Sequence, residues 1–275
     1  MQRSQAASRE PMSGVEMASA AGALLLRLRA EAPRVHCVTN AVAQNFTANA
    51  LLALGAVPSM TLSGEEIGAF VARSDALLVN LGTFDRERRE ATSIAVDTAT
   101  QHGLPWVLDP VFVDRAPQRA AYARDLIFLA PSALRLNAAE FGALAGGNPT
   151  AESVASYARA HKLTVGLSGA TDLVADGNRV VSIANGHPLM AKVTAMGCAA
   201  SAMVAACLAV EPDIFLATAA ALTLTGVAGE LAAIHAQGPG SFAVAMLDAL
   251  HTIDAKALVA HARLDAEANT IAQVN

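Results

Sequence analysis

The sequence predicts an α/β fold, a three-layer sandwich in which a mainly parallel central sheet lies between two layers of helices. Strand-like apolar runs alternate with helix-like runs over residues 34–169, and the strand runs are apolar on both faces. Strands of this kind are typical of parallel sheets covered by helices. We see no Pro-, Gly- or Ser-rich linker and no internal repeat. We therefore predict one domain over residues 13–275, behind a disordered tail at 1–12.

The elements follow from the apolar runs and the residues that interrupt them. Predicted strands cover 34–39, 57–60, 76–82, 105–111, 126–132 and 164–169. Predicted helices cover 44–55, 65–74, 86–103 and 138–146, and the chain after Cys198 is almost wholly helical. Asp176-Gly177 predicts a hairpin. The apolar run 17–26 resembles a short signal sequence, but its acidic and basic flanks and the lack of a cleavage pattern favour an amphipathic first helix.

Composition excludes several classes of function. The formal net charge is −5 and no Lys/Arg run is present, which argues against nonspecific nucleic-acid binding. Cys37, Cys198 and Cys207 form no CxxC pair, so we expect free thiols in a reducing cytoplasm. We also expect no membrane span. A compact phosphorylated ligand stays compatible with the acidic balance, because backbone N–H groups can bind it.

Polar residues follow the apolar strands or begin helices at six places. They are Thr39-Asn40, Asn80 to Thr83, Asp109-Pro110, Arg135 to Asn137, Ser168-Gly169 and Gly197-Cys198. Ligands in parallel α/β sheets bind beyond the carboxyl ends of the strands. The sequence therefore predicts that these residues share one crevice.

Two motifs in this set suggest chemistry. Asn137 and Glu140 are spaced as a helix N-cap with its Glu partner, and the six residues 135–140 alone favour that capping role. In the alternative interpretation, Glu140 is an outer ligand of Mg²⁺ and Asp109 joins it. Gly197 and Cys198 begin an Ala-rich helix, whose free N–H groups would attract an anion and favour the thiolate of Cys198. No GxxxxGK[ST] loop or HExxH motif is present, so neither a P-loop nor a zinc site is indicated.

Several stretches together resemble the hydroxyethylthiazole kinase family of the ribokinase-like superfamily. They are "VHCVTNAVAQNFTANALLALGAVPSM" (35–60), "VNLGT" (79–83), "VLDPV" (107–111), "RLNAAEFGALAG" (135–146), "NGHPLMAKVT" (185–194), "GC" (197–198) and "GVAGELA…GPGSF" (226–242). The resemblance implies ATP- and Mg²⁺-dependent phosphorylation of 4-methyl-5-(2-hydroxyethyl)thiazole in thiamine salvage. It also implies a homotrimer with sites between subunits.

The resemblance assigns roles to particular residues. Met60 matches a thiazole-contacting position, and we expect Asn40 and Gly197 to bind the substrate as well. Arg135 and Ser168 match ATP-binding positions. Asn137 and Glu140 match an Mg²⁺-associated Asn-x-x-Glu, with Asn137 assigned to the nucleotide, Glu140 to the metal, and Asp109 added to the metal from the residues alone. Cys198, with Gly197, stands where related sugar kinases carry a catalytic Asp.

The chain departs from the family pattern at two places. Ala195 and Met196 precede Gly197-Cys198 where the family reads Gly-x-Gly-Cys, and the loop 112–119 contains Phe112 and two charged residues where the family has a small, Gly-rich loop. The loop change leaves open a kinase for another heteroaromatic alcohol, of the hydroxymethylpyrimidine or pyridoxal type. The change before Gly197 leaves open a catalytically weak thiazole-binding sensor.

Overall fold

The structure is a computed structural model, and it describes residues 12–266. The predicted disordered tail lies outside the described residues except for Met12, whose half-buried side chain packs against the core.

The described strands form one nine-stranded sheet in the order β2-β1-β3-β4-β5-β6-β7-β8-β9. Their bounds are β1 Arg34–Val38, β2 Val57–Ser59, β3 Ala76–Asn80, β4 Trp106–Asp109, β5 Ala133–Asn137, β6 Thr164–Ser168, β7 Asp172–Ala175, β8 Val180–Ile183 and β9 Leu264–Asp265. Strands β1 to β6 pair in parallel, and β7 to β9 continue the sheet in antiparallel pairs. The parallel strands therefore end at one common edge.

Helices cover both faces of this sheet, as predicted. Their bounds are α1 Gly14–Glu31, α2 Gln44–Leu54, α3 Ile67–Val71, α4 Arg86–His102, α5 Pro117–Phe128, α6 Ala138–Ala145, α7 Ala151–His161, α8 Met196–Val210, α9 Ile214–His235, α10 Pro239–Thr252 and α11 Ala255–His261. One apolar core joins the sheet to α1, α2 and α8 to α11, and a second joins the other face to α3 to α7. Helix α8 packs against β1, β3 and β4, which carries its first turn to the carboxyl edge of the sheet.

The predicted strand at 126–132 is wrong. Residues 126–128 are the last turn of α5, and the strand begins later, at Ala133. Leu126 and Ile127 are buried on the inner face of this helix. A short apolar run occurs both in buried strands and at buried helix ends, so the sequence pattern does not distinguish the two.

Most of the other elements agree with the sequence. Helix α2 ends at Gly55, whose φ of 109° is a left-handed conformation that suits glycine. The predicted hairpin joins β7 to β8 through Asp176-Gly177. Among the described residues, only α9 is long and apolar enough to cross a membrane, and 78% of its most apolar window is buried inside the fold. Such burial is typical of a core helix.

Candidate active site

The carboxyl ends of β1, β3 and β4 are joined by a chain of side-chain hydrogen bonds. Asn40 Nδ2 donates to Asn80 Oδ1 at 3.0 Å and to Cys198 Sγ at 3.3 Å. Asn80 Nδ2 in turn donates to Asp109 Oδ2 at 2.7 Å. Ser201, from the second turn of α8, donates to the same carboxylate oxygen at 2.8 Å. The predicted crevice therefore exists at these strand ends, and it includes the first turns of α8.

Asp109 is a buried carboxyl group, with 2% of its surface exposed. Burial raises its pKa to about 6, and the nearby Glu140 carboxylate adds to the rise, while Arg135 and the donors Ser201 and Asn80 oppose it. A carboxyl group in such a position changes charge close to neutral pH. Perturbed groups of this kind are concentrated at functional sites.

The expectation that the thiolate of Cys198 is favoured is wrong. Burial, followed by the charge of Asp109, raises the pKa of the Cys198 thiol to about 11. The amides of Asn40 and Asn80 and the guanidinium of Arg135 only partly oppose this. Desolvation outweighs the helix N-terminus here, so the thiol is neutral at pH 7.

Helix α8 begins without a side-chain cap. Its N-cap residue, Ala195, makes no cap hydrogen bond and has a left-handed φ of 68°. The N–H groups of Met196, Gly197 and Cys198 donate to no protein group in the part of the chain that the structure describes. Uncapped N–H groups at a helix start, together with the helix dipole, form a binding site for an anion.

Arg135 faces this helix start from β5. A Cβ atom added to Gly197 would lie only 2.9 Å from its Nη1. Arg135 makes no salt bridge within residues 12–266, and its buried Nε has no hydrogen-bond partner there. An unpaired guanidinium beside free N–H groups is suited to a phosphate.

Glu140 combines the capping role with a position next to Asp109. Asn137 and Glu140 form a capping box, as their spacing in the sequence predicts. The Asn137 side chain accepts from the Glu140 N–H, and Glu140 Oε2 accepts from the Asn137 N–H. Glu140 Oε1 also accepts from the Phe112 N–H at 2.9 Å. Asp109 Oδ1 accepts no hydrogen bond from the described residues. Two neighbouring carboxylates with spare lone pairs are hard oxygen donors, so this pair fits Mg²⁺ that keeps most of its waters.

The loop after β4 has a feature that its sequence does not show. Phe112 has a positive φ of 60°, which is rare for a bulky residue, and half of its surface is exposed. The Arg115 guanidinium lies 5.1 Å from the centre of the Phe112 ring. The backbone of this exposed aromatic residue is therefore held to Glu140 by a hydrogen bond.

Comparison with known proteins decides the family. Residues 25–256 match the model of the hydroxyethylthiazole kinase family. The chain is 45% identical to a hydroxyethylthiazole kinase of Granulibacter bethesdensis, over 90% of this chain and 96% of the relative. It is 46% identical to one of Cereibacter sphaeroides, over 89% of this chain and 98% of the relative. This chain belongs to the hydroxyethylthiazole kinase family.

Solved structures agree with this membership. The structure of a hydroxyethylthiazole kinase from Pyrococcus horikoshii superposes with a TM-score of 0.86 at 36% identity, over 90% of this chain and 98% of that one. A Staphylococcus aureus pyridoxal kinase in complex with pyridoxal superposes with a TM-score of 0.57 at 15% identity, over 72% of this chain and 88% of that one, and so shows the fold alone. The ribokinase-like fold expected from the sequence is therefore confirmed.

Two residues that the family resemblance singled out lie apart from the hydrogen-bonded chain. Ser168 ends β6 beside Asn137, and its hydroxyl donates weakly to the Leu136 carbonyl at 3.4 Å. Met60 follows β2 at the same edge of the sheet, half-buried against the core. Within residues 12–266, no hydrogen bond connects either residue with Cys198.

Sequence reasoning did not single out Ser201. A signal existed: it is a lone Ser in an Ala-rich helix, four residues after Gly197, and residues spaced in this way share a helix face. Asn80 appeared only as one member of the predicted crevice. Its central position depends on the pairing of β3 with β4, which aligns Asn80 with Asp109.

Proposed function

We propose that this protein transfers the γ-phosphoryl group of ATP to the hydroxyl group of 4-methyl-5-(2-hydroxyethyl)thiazole. The observation that carries this proposal is the unpaired Arg135 guanidinium facing the uncapped start of α8, next to Cys198. Phosphoryl transfer depends mainly on positioning and on stabilisation of charge on the phosphate oxygens. Family membership supports the substrate.

The residues of the site would divide the work. The N–H groups of Gly197 and Cys198, with Arg135, would bind the phosphoryl group in transit. Asn137 and Ser168 are assigned to the nucleotide, and Met60 and Asn40 to the thiazole alcohol. The neutral thiol of Cys198 would hydrogen-bond the reacting hydroxyl instead of acting as a strong base, because a loose transition state needs little deprotonation at the start.

Asp109 and Glu140 would hold Mg²⁺ through its waters. When bound, Mg²⁺ neutralises negative charge on the phosphate oxygens. Arg135, Ser201 and Asn80 offset only part of the cost of burying the Asp109 charge, and a bound cation would offset more of it, which supports this assignment.

We infer a cytoplasmic homotrimer in which residues 13–275 form one kinase domain. Three free cysteines support a reducing compartment. Exposed apolar side chains near the β2 edge of the sheet, Val42, Leu52, Val57 and Phe70, support burial between subunits. Light scattering at micromolar protein should give three times the chain mass; a fully active monomer would refute the trimer.

Mass spectrometry of ATP-dependent products tests the activity. The protein is incubated in parallel with hydroxyethylthiazole, hydroxymethylpyrimidine and pyridoxal. We expect a phosphorylated thiazole in large excess over the other two products. A preferred phosphorylated pyrimidine or pyridoxal would instead identify a kinase for another heteroaromatic alcohol, a change that the Phe112 loop could cause. Thiazole binding without any product would identify a sensor.

A further inference from the structure

We propose that Asn80 is a positioning residue, whose side-chain amide fixes the orientation of Asn40 and thereby presents an N–H donor to the sulfur of Cys198. The role in catalysis rests on the proposed kinase function, whereas the geometric claim does not.

The orientation of the Asn80 amide is determined by two partners of opposite type. Its Oδ1 accepts from the Gly82 backbone N–H at 3.0 Å, and its Nδ2 donates to the Asp109 carboxylate. If the amide were flipped, its NH₂ group would face the Gly82 N–H, and its oxygen would face the Asp109 carboxylate; both contacts are repulsive. The buried amide, with 1% of its surface exposed, therefore has one stable orientation.

The Ala43 N–H and Asn80 together set the orientation of the Asn40 amide. Asn40 Oδ1 accepts from the Ala43 N–H at 3.0 Å, so its Nδ2 faces the fixed Oδ1 of Asn80. The same Nδ2 reaches Cys198 Sγ. Sulfur is thus an acceptor in this contact, and the thiol hydrogen is free to point elsewhere.

Gly82 confines Asn40 from a second side. A Cβ atom added to Gly82 would lie 2.6 Å from Asn40 Nδ2 and 2.8 Å from Asn40 Cβ. The absence of a side chain at Gly82 allows the turn after β3 to close over the Asn40 amide. Asn80 and Gly82 thus both confine the Asn40 side chain, so the "VNLG" turn (residues 79–82) positions Asn40.

Ser201 provides a matched control. Both Asn80 and Ser201 donate to Asp109 Oδ2, at 2.7 and 2.8 Å. Asn80 also contacts Asn40 and acts on the pKa of the Cys198 thiol, whereas Ser201 does neither. If Asn80 does no more than satisfy Asp109, then Asn80→Ala and Ser201→Ala should affect Cys198 alike.

The test is the alkylation rate of Cys198 by iodoacetamide, followed by peptide mass spectrometry without nucleotide or substrate. Cys37 and Cys207 are fully buried, and burial raises the pKa of each thiol to about 12, so their labelling reports unfolding. We expect Asn80→Ala and Asn40→Ala each to slow the Cys198 reaction by about 3- to 10-fold, because the thiolate loses a hydrogen-bond donor. Ser201→Ala should leave the rate within about 2-fold of the wild type.

The double variant Asn40→Ala/Asn80→Ala separates an indirect from a direct effect. If Asn80 acts through Asn40, the double variant reacts no more slowly than Asn40→Ala alone. Additive losses, or equal effects of Asn80→Ala and Ser201→Ala, would overturn the proposal. If Asn80→Ala unfolds, as labelled Cys37 would reveal, Asn80→Ser carries the same expectations.

A kinetic readout links the geometry to the reaction. We expect Asn80→Ala to lower kcat at least about 10-fold, and by more than Ser201→Ala, which removes the other donor to the same Asp109 oxygen. An increase in the KM for ATP with kcat unchanged would contradict the positioning role. A wild-type protein without kinase activity would refute the proposed function but leave the alkylation test intact.

Discussion

The two ends of α8 carry the same kind of residue in opposite surroundings. Cys198 lies in the first turn, hydrogen-bonded by Asn40 and close to Arg135 and Asp109. Cys207 lies nine residues later, fully buried in the apolar core, and its thiol makes no hydrogen bond within the described residues. Burial raises the pKa of both thiols, to about 11 and about 12. A raised pKa therefore does not separate a site cysteine from a packing cysteine; the partial exposure of Cys198, its polar neighbours and the free N–H groups do.

The largest expected effect is at Gly197, on the polar end of the helix. Gly197→Val should reduce turnover to background, because the added side chain meets Arg135 and blocks the approach of a phosphate to the backbone. Coupled ATPase kinetics with hydroxyethylthiazole measure this, and circular dichroism confirms folding. Gly240→Val, at the start of α10 where an added Cβ meets no atom within 4 Å, is the control and should stay active.

Glu140→Gln should lower turnover at least ~10-fold, or about 1.4 kcal/mol in activation free energy. A neutral amide binds Mg²⁺ less well than a carboxylate does. Its NH₂ group would also face one of the two backbone N–H groups, of Phe112 and Asn137, that donate to Glu140. We expect partial recovery at high Mg²⁺ in a titration of turnover against the metal.

Glu16→Gln is a matched control for this change, because Glu16 closes the same type of capping box at the start of α1. It should leave turnover unchanged at every Mg²⁺ concentration. Wild-type turnover of Glu140→Gln under the same conditions would reduce Glu140 to a helix cap.

A third prediction compares the two cysteines directly. Cys198→Ser should lower turnover only a few-fold, since a hydroxyl group can replace a neutral thiol as a hydrogen-bonding group. Cys207→Ser should leave turnover unchanged but lower the free energy of unfolding by about 1–3 kcal/mol, because it buries a hydroxyl group in an apolar core. Turnover and urea denaturation of both variants check this; loss of turnover in the folded Cys207→Ser protein would contradict the division.

The smallest expected effect is at the N-cap of α8. Ala195→Gly should raise the free energy of unfolding by up to about 1 kcal/mol. Glycine removes the strain of a left-handed alanine, which costs about 1–2 kcal/mol, but it also increases the conformational entropy of the unfolded chain, which cancels part of that gain. Ala32→Gly, at the left-handed C-cap of α1, relieves similar strain away from the site. Thermal melts and turnover of both variants check this. A rise in turnover confined to Ala195→Gly would show that the strain matters at the site.

Much of the fold was predictable because apolar runs and glycine caps are local signals. Helix α2 with Gly55 and the hairpin at Asp176-Gly177 are examples. The strand assigned to 126–132 failed because a buried helix end shares its apolar pattern. Helix α7 was not predicted, although Thr150 and Ser153 form a capping box at its start.

The membership of the site was predictable, but its electrostatics were not. Parallel strand ends bring Asn40, Asn80 and Asp109 together by topology alone. The raised pKa of the Cys198 thiol depends on how deeply these groups are buried, and the positive φ of Ala195 and Phe112 depends on the loops. These pKa values and backbone angles depend on tertiary packing, so they cannot be predicted from the residue types of a short stretch of sequence.

The central claim is that the start of α8 and Arg135 together bind the phosphoryl group, and Gly197→Ala tests it most directly. Alanine is the better helix former by up to about 1 kcal/mol, so the free energy of unfolding should hold or rise. Its Cβ would nevertheless lie 2.9 Å from Arg135 Nη1 and must displace that guanidinium. We predict kcat/KM for ATP at least ~10-fold below the wild type, with Gly240→Ala unchanged. A folded Gly197→Ala protein with the kcat/KM of the wild type would contradict the claim.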